Sequence, residues 1–344
     1  MKKQKNPKTK SFLKKLFIKI CRLLSYEIID QSEFYVPTQD KFLNRNLNVP
    51  GKKSISIPLG ETKITRKVTS LTVIFRSCTR VNMLTQSKKR IFDEKKSEYT
   101  FRSLNSIIVS LISAKKSLPN VKLNIIVIDH ISEQNDLNQI KKILSFSGIT
   151  NSVISLDVND FKGKIKKINA ENKNVTENQI SNMSNIYKSL EIARKQCSDL
   201  IYFVEDDYLH QSNAIGEMIF TYERFSSQMN SELVLIPIDY PYLYSKVEPT
   251  NIFFGSSKHW RTTEESLCTF FTSSQMIKKH WDKFISMCEY EHYPFEKPLH
   301  EIYKTEYCLS PIPSLALHFT NINSIYGLSP GVDWKKIWDE NENY

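Results

Sequence analysis

Three consecutive carboxylates, Glu205-Asp206-Asp207, stand directly behind the apolar run Leu200-Ile201-Tyr202-Phe203-Val204. The run has the length of one buried strand, and a helical pattern opens at Ala214 after the polar pair Ser212-Asn213. A buried strand that delivers acids at its carboxyl end, in the crevice of an α/β sheet, suits a divalent metal and a phosphorylated ligand. Three adjacent acids repel one another, so a site that keeps them together generally supplies a cation. The plainer alternative is a solvated turn in which Asp207 favours a helix N-terminus. Arg76 and Arg80 bracket Ser77-Cys78-Thr79 at the end of an earlier strand, placed to approach phosphates or to pair with surface acids. His318 lies in the apolar stretch Leu315-Ala316-Leu317-His318-Phe319, where a satisfied core histidine is the bland reading. His259-Trp260-Arg261 reads either as the lining of a ligand pocket or as a surface turn with one buried indole.

The elements that must position these groups follow from periodicity. Strands are expected at Leu71–Phe75, Val121–Ile128, Ser152–Leu156 and Leu200–Val204, with helices at Phe101–Ala114, Leu137–Phe146 and Asn185–Gln196 between them. That β-α-β-α-β-α-β succession predicts a three-layer α/β/α fold around a mostly parallel sheet. Further on, a helix is expected at Ala214–Phe225 and another at Ser274–Met287. Strands are expected at Glu232–Ile238, Cys268–Thr272 and Leu315–Phe319. Residues 162–177 are polar and Asn/Lys-rich, a mobile loop by composition. Residues 31–68 read as a connecting segment with one short hairpin, Ser54–Ile57 against Lys63–Arg66. Residues 69–340 read as a single domain whose character changes at about residue 210.

With 344 residues, 40% of them hydrophobic, the chain has enough apolar material for one large core or two modest ones. Eight glycines are few, which disfavours a glycine-rich phosphate loop. The six cysteines form no C-x-x-C pair, so they read as reduced thiols rather than zinc ligands. The formal charge of +11 is concentrated at one end: residues 1–22 hold nine cations and no acid, which leaves the rest at +2. A body so close to neutral argues against nucleic acid as a partner. Phe12, Leu13, Leu16, Phe17, Ile20, Leu23 and Leu24 share one half of a helical wheel. Lys14, Lys15, Lys19 and Arg22 occupy the other. The cations exclude a membrane span, and no apolar core leads to a cleavage site. Residues 1–30 are expected to form a basic amphipathic helix behind a disordered start, with residues 11–25 contacting an anionic membrane surface. A helix docked on the body or on a partner is the alternative.

The ordered set of features resembles the nucleotide-sugar glycosyltransferases of the GT-A fold, in their broad family A group. Arg76-Ser77-Cys78-Thr79-Arg80 is similar to that group's first-strand turn facing the nucleotide. Asp129-x-x-Ser132 resembles the signature whose carboxylate contacts the base, and Asn182-x-x-Asn185 the segment that runs along the nucleotide. Glu205-Asp206-Asp207 occupies the place of the D-x-D motif. The chain departs from the pattern in having Asp129-His130 instead of paired acids.

The resemblance implies a Mn²⁺ or Mg²⁺ ion on Asp207, with Glu205 close by, His318 as a late third ligand and Asp206 nearer the ribose. It implies nucleotide contacts from Arg76, Thr79, Arg80, Asp129, Ser132 and Asn185. An inverting transferase also needs a carboxylate base. Glu301 stands where the group usually carries it, while Glu296, Glu264 and Glu265 compete. Trp260 and Arg261 would face the acceptor. The implied activity moves a sugar from a nucleotide donor to a lipid-linked or cell-surface glycan precursor, on the cytoplasmic face of a membrane. The rivals are a turnover-less scaffold of the same fold and a sugar nucleotidyltransferase, the latter disfavoured because residues 76–80 contain no glycine.

Overall fold

The computed structural model describes residues 12–26, 28, 54–57, 60–80, 90–245, 249–320, 322 and 324–344. The chain falls into two units. The first carries helix α1 (Phe12–Leu23), which has no buried residue. Its apolar stripe lies open, with Phe12 78% and Leu23 79% exposed. A short two-stranded sheet pairs β1 (Ser54–Ile57) with β2 (Gly60–Lys63), three residues earlier in its second strand than the periodicity suggests.

The second unit is built on nine strands in the order β5-β4-β3-β6-β11-β8-β12-β10-β9. These are β3 (Ser70–Ser77), β4 (Lys122–Asp129), β5 (Thr150–Ser155), β6 (Leu200–Glu205), β8 (Val234–Leu235), β9 (Ile252–Phe254), β10 (His259–Thr262), β11 (Phe270–Ser273) and β12 (Cys308–Ile312). Seven run in one direction and only β10 and β11 are reversed. The mostly parallel sheet is therefore present. Strand β3 is buried on both faces from Val73 to Ser77, as the continuous run Val73-Ile74-Phe75 requires of a central parallel strand.

Helix α2 (Lys96–Ser117) joins β3 to β4, α3 (Gln134–Phe146) joins β4 to β5, and α4 (Glu177–Gln196) joins β5 back to β6. Right-handed crossovers put α2 and α3 on one face and α4, whose path reverses direction across the sheet, on the other. Helix α5 (Ala214–Met229) packs on α2. Beside α4 lie α6 (Ser274–Lys279) and α7 (Trp281–Glu289), followed by α8 (Lys297–Tyr303). The three layers expected from the sequence are these. The helix expected at Ser274–Met287 is two, divided at His280. Helix α4 opens earlier than Asn182, at a capping box in which Thr176 and Gln179 satisfy each other's backbone N–H groups.

Beyond the main sheet, β7 (Tyr208–His210) pairs antiparallel with β13 (Ala316–His318). A second apolar cluster holds this ribbon. Tyr99 of α2, Leu209, Leu317 and Phe319 pack with Ile337 and Trp338 of the last helix, α9 (Trp334–Glu340). Ribbon and clamp bring residue 318 beside residue 207, more than a hundred positions away in the chain.

All six cysteines are free, and four of them are buried. No helix among the described residues is long and apolar enough to cross a membrane.

Candidate active site

The three acids at the end of β6 have three different environments. Parallel pairing of β3 with β6 sets Arg76 opposite Glu205, and Arg76 Nη2 lies 2.9 Å from Glu205 Oε1. Arg76 Nη1 donates to Asn182 Oδ1 at 3.1 Å. The other Glu205 oxygen accepts from the Thr269 hydroxyl at 3.4 Å. Asp206 is turned toward the start of α2. It pairs with Lys96 and accepts from the Thr100 hydroxyl at 3.0 Å and from the Cys78 N–H at 3.2 Å.

Asp207 faces the β13 ribbon, where its Oδ2 lies 3.3 Å from His318 Nε2. The Phe319 N–H donates to the Asp207 carbonyl at 3.0 Å, which fixes the two segments together. Tyr208 stacks on the His318 ring with centroids 4.7 Å apart.

The other nitrogen of His318 decides what this pair can do. Nδ1 lies 3.1 Å from the Tyr326 carbonyl. A carbonyl only accepts, so Nδ1 carries the proton, and Nε2 of the neutral ring presents a lone pair to a carboxylate oxygen. Two acceptors at that separation need a cation between them or a proton on Nε2. In the bare protein the proton serves. Burial would lower the imidazole's proton affinity, but the Asp207 charge and hydrogen bond outweigh it and hold His318 above its ordinary value. Burial likewise pushes the Asp207 carboxyl up. The His318 charge and hydrogen bond, Lys96 and the Thr320 hydroxyl overcome it and hold the carboxyl well below the usual range.

An imidazole whose far N–H is fixed on a carbonyl is also the ordinary arrangement of a metal-bound histidine. The donor set of Asp207 oxygen and His318 nitrogen therefore fits a divalent ion, and the nitrogen favours Mn²⁺ over oxygen-loving Mg²⁺. Among the described residues no group of three His, Cys, Asp or Glu side chains has metal-binding geometry. Glu205, expected beside Asp207, is engaged by Arg76 instead.

The turn after β4 is cross-linked to the turn after β3. Asp129, expected at the nucleotide base, is buried, and its carboxylate is consumed locally. Its Oδ1 accepts from the Ser77 hydroxyl at 2.7 Å and the Ser132 hydroxyl at 2.5 Å, and its Oδ2 from the Ser132 N–H at 3.2 Å. Ser132 Oγ in turn accepts from the Thr79 N–H at 3.0 Å. Asp129 and Ser132 hold two loops together, since the carboxylate's bonds to Ser77 and Ser132 all point into the fold. Arg80 is half exposed and grips Glu133 through Nε and Nη2 at 2.7 and 3.3 Å. Asn185 is buried with its amide N–H on the Ile128 carbonyl at 3.2 Å, and its Oδ1 has no hydrogen-bond partner among the described residues. A cavity of about 750 Å³ opens between the starts of α2 and α3, lined by Thr79, Arg80, Lys95, Lys96, Glu133 and Asp136 among others.

On the acceptor side the structure divides the expected residues. Glu301 sits on the solvent face of α8, paired with Lys304 at 2.6 Å, so it is a surface ion pair and does not join the acids of β6. Glu296, at the start of the same helix, lies 3.8 Å from Cys268 Sγ. That thiol, raised chiefly by burial, also feels the negative charges of both Glu296 and Glu205. Of the two expected bases, Glu296 is the one drawn toward β6.

Trp260 is fully buried, its indole N–H reaching Glu217 Oε1 at 3.3 Å. It is a core residue and no part of an acceptor surface. Gly255 lies against this pair, with no room for a side chain between Glu217 and Trp260. Arg261 is also buried, paired with Asp239 and stacked over Tyr244 at 4.4 Å. Sequence reasoning missed Lys96 and Tyr326. A lysine in the first turn of a helix, against the helix dipole, was the one available hint for Lys96; nothing marked Tyr326.

No protein-family model matches the chain, and no curated protein does. Solved structures similar to it include the glycosyltransferase GlyE of Streptococcus pneumoniae TIGR4. The identity is 11% and the TM-score 0.41, over 81% of this chain and 61% of that one. A UTP-bound UGPase from Acinetobacter baumannii matches at 8% identity and TM-score 0.40, over 80% and 92% of the two chains. Mouse xyloside xylosyltransferase 1 matches at 12% identity and TM-score 0.35, over 68% and 76%. The chain thus spans less than two thirds of the length of GlyE.

Proposed function

We propose that this chain is a metal-dependent glycosyltransferase that takes a sugar from a nucleoside-diphosphate donor. The observation that carries the reading is the Asp207–His318 contact, with His318 Nδ1 committed to the Tyr326 carbonyl and Nε2 turned to the carboxylate. Asp207 and His318 would hold Mn²⁺, which when bound would supply positive charge to offset the negative charge of a departing nucleoside diphosphate. One or two protein ligands are usual for ions of this kind, so the Asp207–His318 pair would suffice to hold one.

The chain's own groups then have distinct duties. Arg76 keeps Glu205 neutralised beside the ion. Lys96 fixes Asp206 and adds positive charge next to Asp207. Glu296 is the carboxylate best situated to take the proton of an acceptor hydroxyl.

The amphipathic stripe of α1 and the cations around it support a peripheral site of action on an anionic membrane surface, facing the cytoplasm. They suit a lipid-linked or cell-surface glycan precursor as acceptor. Each cation near such a surface contributes about 1 kcal/mol.

Thermal-shift measurement against a panel of nucleotide sugars, with and without Mn²⁺, tests the reading. A diphosphate sugar that stabilises the protein only when Mn²⁺ is present supports it. Silence across the panel in both conditions would count for a scaffold without turnover.

A further inference from the structure

Tyr326 touches two elements at once. Its backbone carbonyl accepts from His318 Nδ1 at 3.1 Å, and its phenol donates to Glu265 Oε2 at 2.9 Å. The ring between these bonds is wedged against Tyr240, edge-on at 5.4 Å, and Tyr242 at 5.2 Å. The turn that carries it is tightly specified. The Gly327 N–H donates to the Ser324 carbonyl at 3.0 Å, and the Tyr242 N–H donates to the Ile325 carbonyl at 3.0 Å. A Cβ on Gly327 would lie 2.6 Å from the Ile322 carbonyl oxygen. Glu265 is held in its own loop, its carbonyl accepting from the Tyr242 hydroxyl at 2.8 Å.

We propose that Glu265 and Tyr326 form an outer relay that positions His318 for the metal. The carboxylate anchors the phenol, the phenol anchors the turn, and the turn aims the carbonyl that keeps the proton on Nδ1 and the lone pair on Nε2. Glu265 is thereby a positioning residue acting through Tyr326, and neither residue touches the ion. The inference rests on the reading of Asp207 and His318 as metal ligands. It adds that metal affinity is set partly by a residue from the loop between β10 and β11. Outer partners of metal-bound histidines ordinarily change affinity by about 10- to 100-fold, so the expected effect is large enough to measure.

The experiment uses the full chain, with Mn²⁺ alone as probe, followed by electron paramagnetic resonance, and with the ¹⁵N ring signals of His318 recorded without metal. Tyr326→Phe and Glu265→Ala are expected to weaken Mn²⁺ binding by about tenfold and to shift the Nδ1 signal, with thermal unfolding still cooperative. Glu265→Gln keeps an accepting oxygen for the phenol and is expected to restore both readouts to near wild type. Glu301→Gln, on the outer face of α8, is expected to change neither.

Tyr326→Phe with wild-type affinity and an unmoved Nδ1 signal overturns the relay. So does Glu265→Gln behaving like Glu265→Ala. If the wild type binds no Mn²⁺ while the Nδ1 signal still responds to Tyr326→Phe, the metal reading fails and the relay stands. If neither moves, both fall.

Discussion

Arg76 Nη2 sits 2.9 Å from Glu205 Oε1 because β3 and β6 run parallel in a register that pairs these two residues. The arginine is buried in the sheet while the glutamate reaches its rim. This contact separates the acidic run into three tasks. Glu205 is neutralised from inside the sheet, Asp206 by Lys96 from the start of α2, and Asp207 by His318 across the small ribbon. Mutual repulsion of three adjacent carboxylates is thus relieved from three different elements, by Arg76, by Lys96 and by His318 when its Nε2 is protonated; with that proton gone, only the last pairing offers a lone pair to a metal.

The division predicts different outcomes for two isosteric changes. Asp207→Asn removes an anionic ligand and is expected to weaken Mn²⁺ binding by more than about tenfold, and because it takes the charge partner from His318 it is also expected to lower stability by about 1–3 kcal/mol. Glu205→Gln is expected to leave Mn²⁺ affinity within a few-fold but to lower stability by about 1–3 kcal/mol, since Arg76 loses its charge partner. Isothermal titration with Mn²⁺ and urea unfolding, run on both variants, check the pair. Equal loss of affinity in the two would mean that Glu205 is a ligand after all.

Lys96 supplies the second test. Its ammonium and the Asp206 carboxylate are both largely shielded from solvent, and removing one partner strands the other charge. Lys96→Met is expected to cost about 3 kcal/mol in urea unfolding. Adding Asp206→Asn to it is expected to recover part of that loss, because the stranded charge is then absent. A double-mutant cycle with no coupling between the positions would show that the contact carries no energy.

His210 gives the pH dependence. Burial drives its imidazole down to about 3, and its Nε2 takes the Tyr202 hydroxyl at 2.6 Å. The unfolded chain protonates this histidine near its ordinary value of about 6.5, whereas the folded chain resists until about 3. Between those values the unfolded state holds the extra proton, so the contribution is absent above about 6.5 and grows more destabilising as pH falls. Urea unfolding at pH 7.5, 6 and 5 is expected to show a slope that His210→Gln reduces by up to about 1.4 kcal/mol per pH unit. An unchanged slope in the variant would mean that the ring is protonated in the native fold.

Much of this was readable from residue order, and the parts that were not have a common cause. Strands β3, β4 and β6 announce themselves because a parallel strand covered on both faces must be continuously apolar, as Val73-Ile74-Phe75 and Leu200–Val204 are. The acids at the end of β6 are legible for the same reason. The short strands β7, β9 and β10 have three or four residues each and too few repeats for a period to show. The apolar run at 315–319 was visible, but not its pairing with β7, which fixes the placement of His318.

Trp260 and Glu301 show a second limit. A Trp-Arg pair in an aromatic stretch looks exposed until one knows that Glu217, buried on α5, waits for the indole N–H. Glu301 fits the role of base by position along the chain, yet its place on α8 turns it to solvent beside Lys304. The Asp129 turn went the other way, since Ser77 and Ser132 were both in view and only their convergence on one carboxylate was hidden. The hydrogen bond from Tyr326 to Glu265 joins residues 61 positions apart, which no local pattern encodes.

The amphipathic helix makes a prediction independent of the site. Deleting residues 1–25 is expected to abolish sedimentation with vesicles containing phosphatidylserine, while Mn²⁺ affinity stays at the full-chain value. Raising salt is expected to weaken the full chain's vesicle binding, as screening of its lysines requires. Retained sedimentation of the truncated chain would assign membrane contact to another surface, and loss of Mn²⁺ binding with it would show that these residues serve the fold.

The final prediction concerns the base. Glu296 and Glu301 are five positions apart along one short helix, yet the first faces Cys268 while the second is paired with a surface lysine. Glu301 is held below its ordinary value first by its hydrogen bond from Lys304, which makes it a poor proton acceptor as well as a distant one. Glu296→Gln is expected to lower kcat by about 10²- to 10⁴-fold, with Mn²⁺ and donor binding unchanged, because the amide keeps the shape and loses the basicity. Glu301→Gln is expected to keep kcat within about twofold. Steady-state kinetics on whichever donor the thermal-shift panel identifies would read both, with the pH profile as the internal control. If Glu296 is the base, the acidic limb of kcat/KM disappears in Glu296→Gln and persists in Glu301→Gln. A limb that persists in both moves the role to a carboxylate other than Glu296 and Glu301.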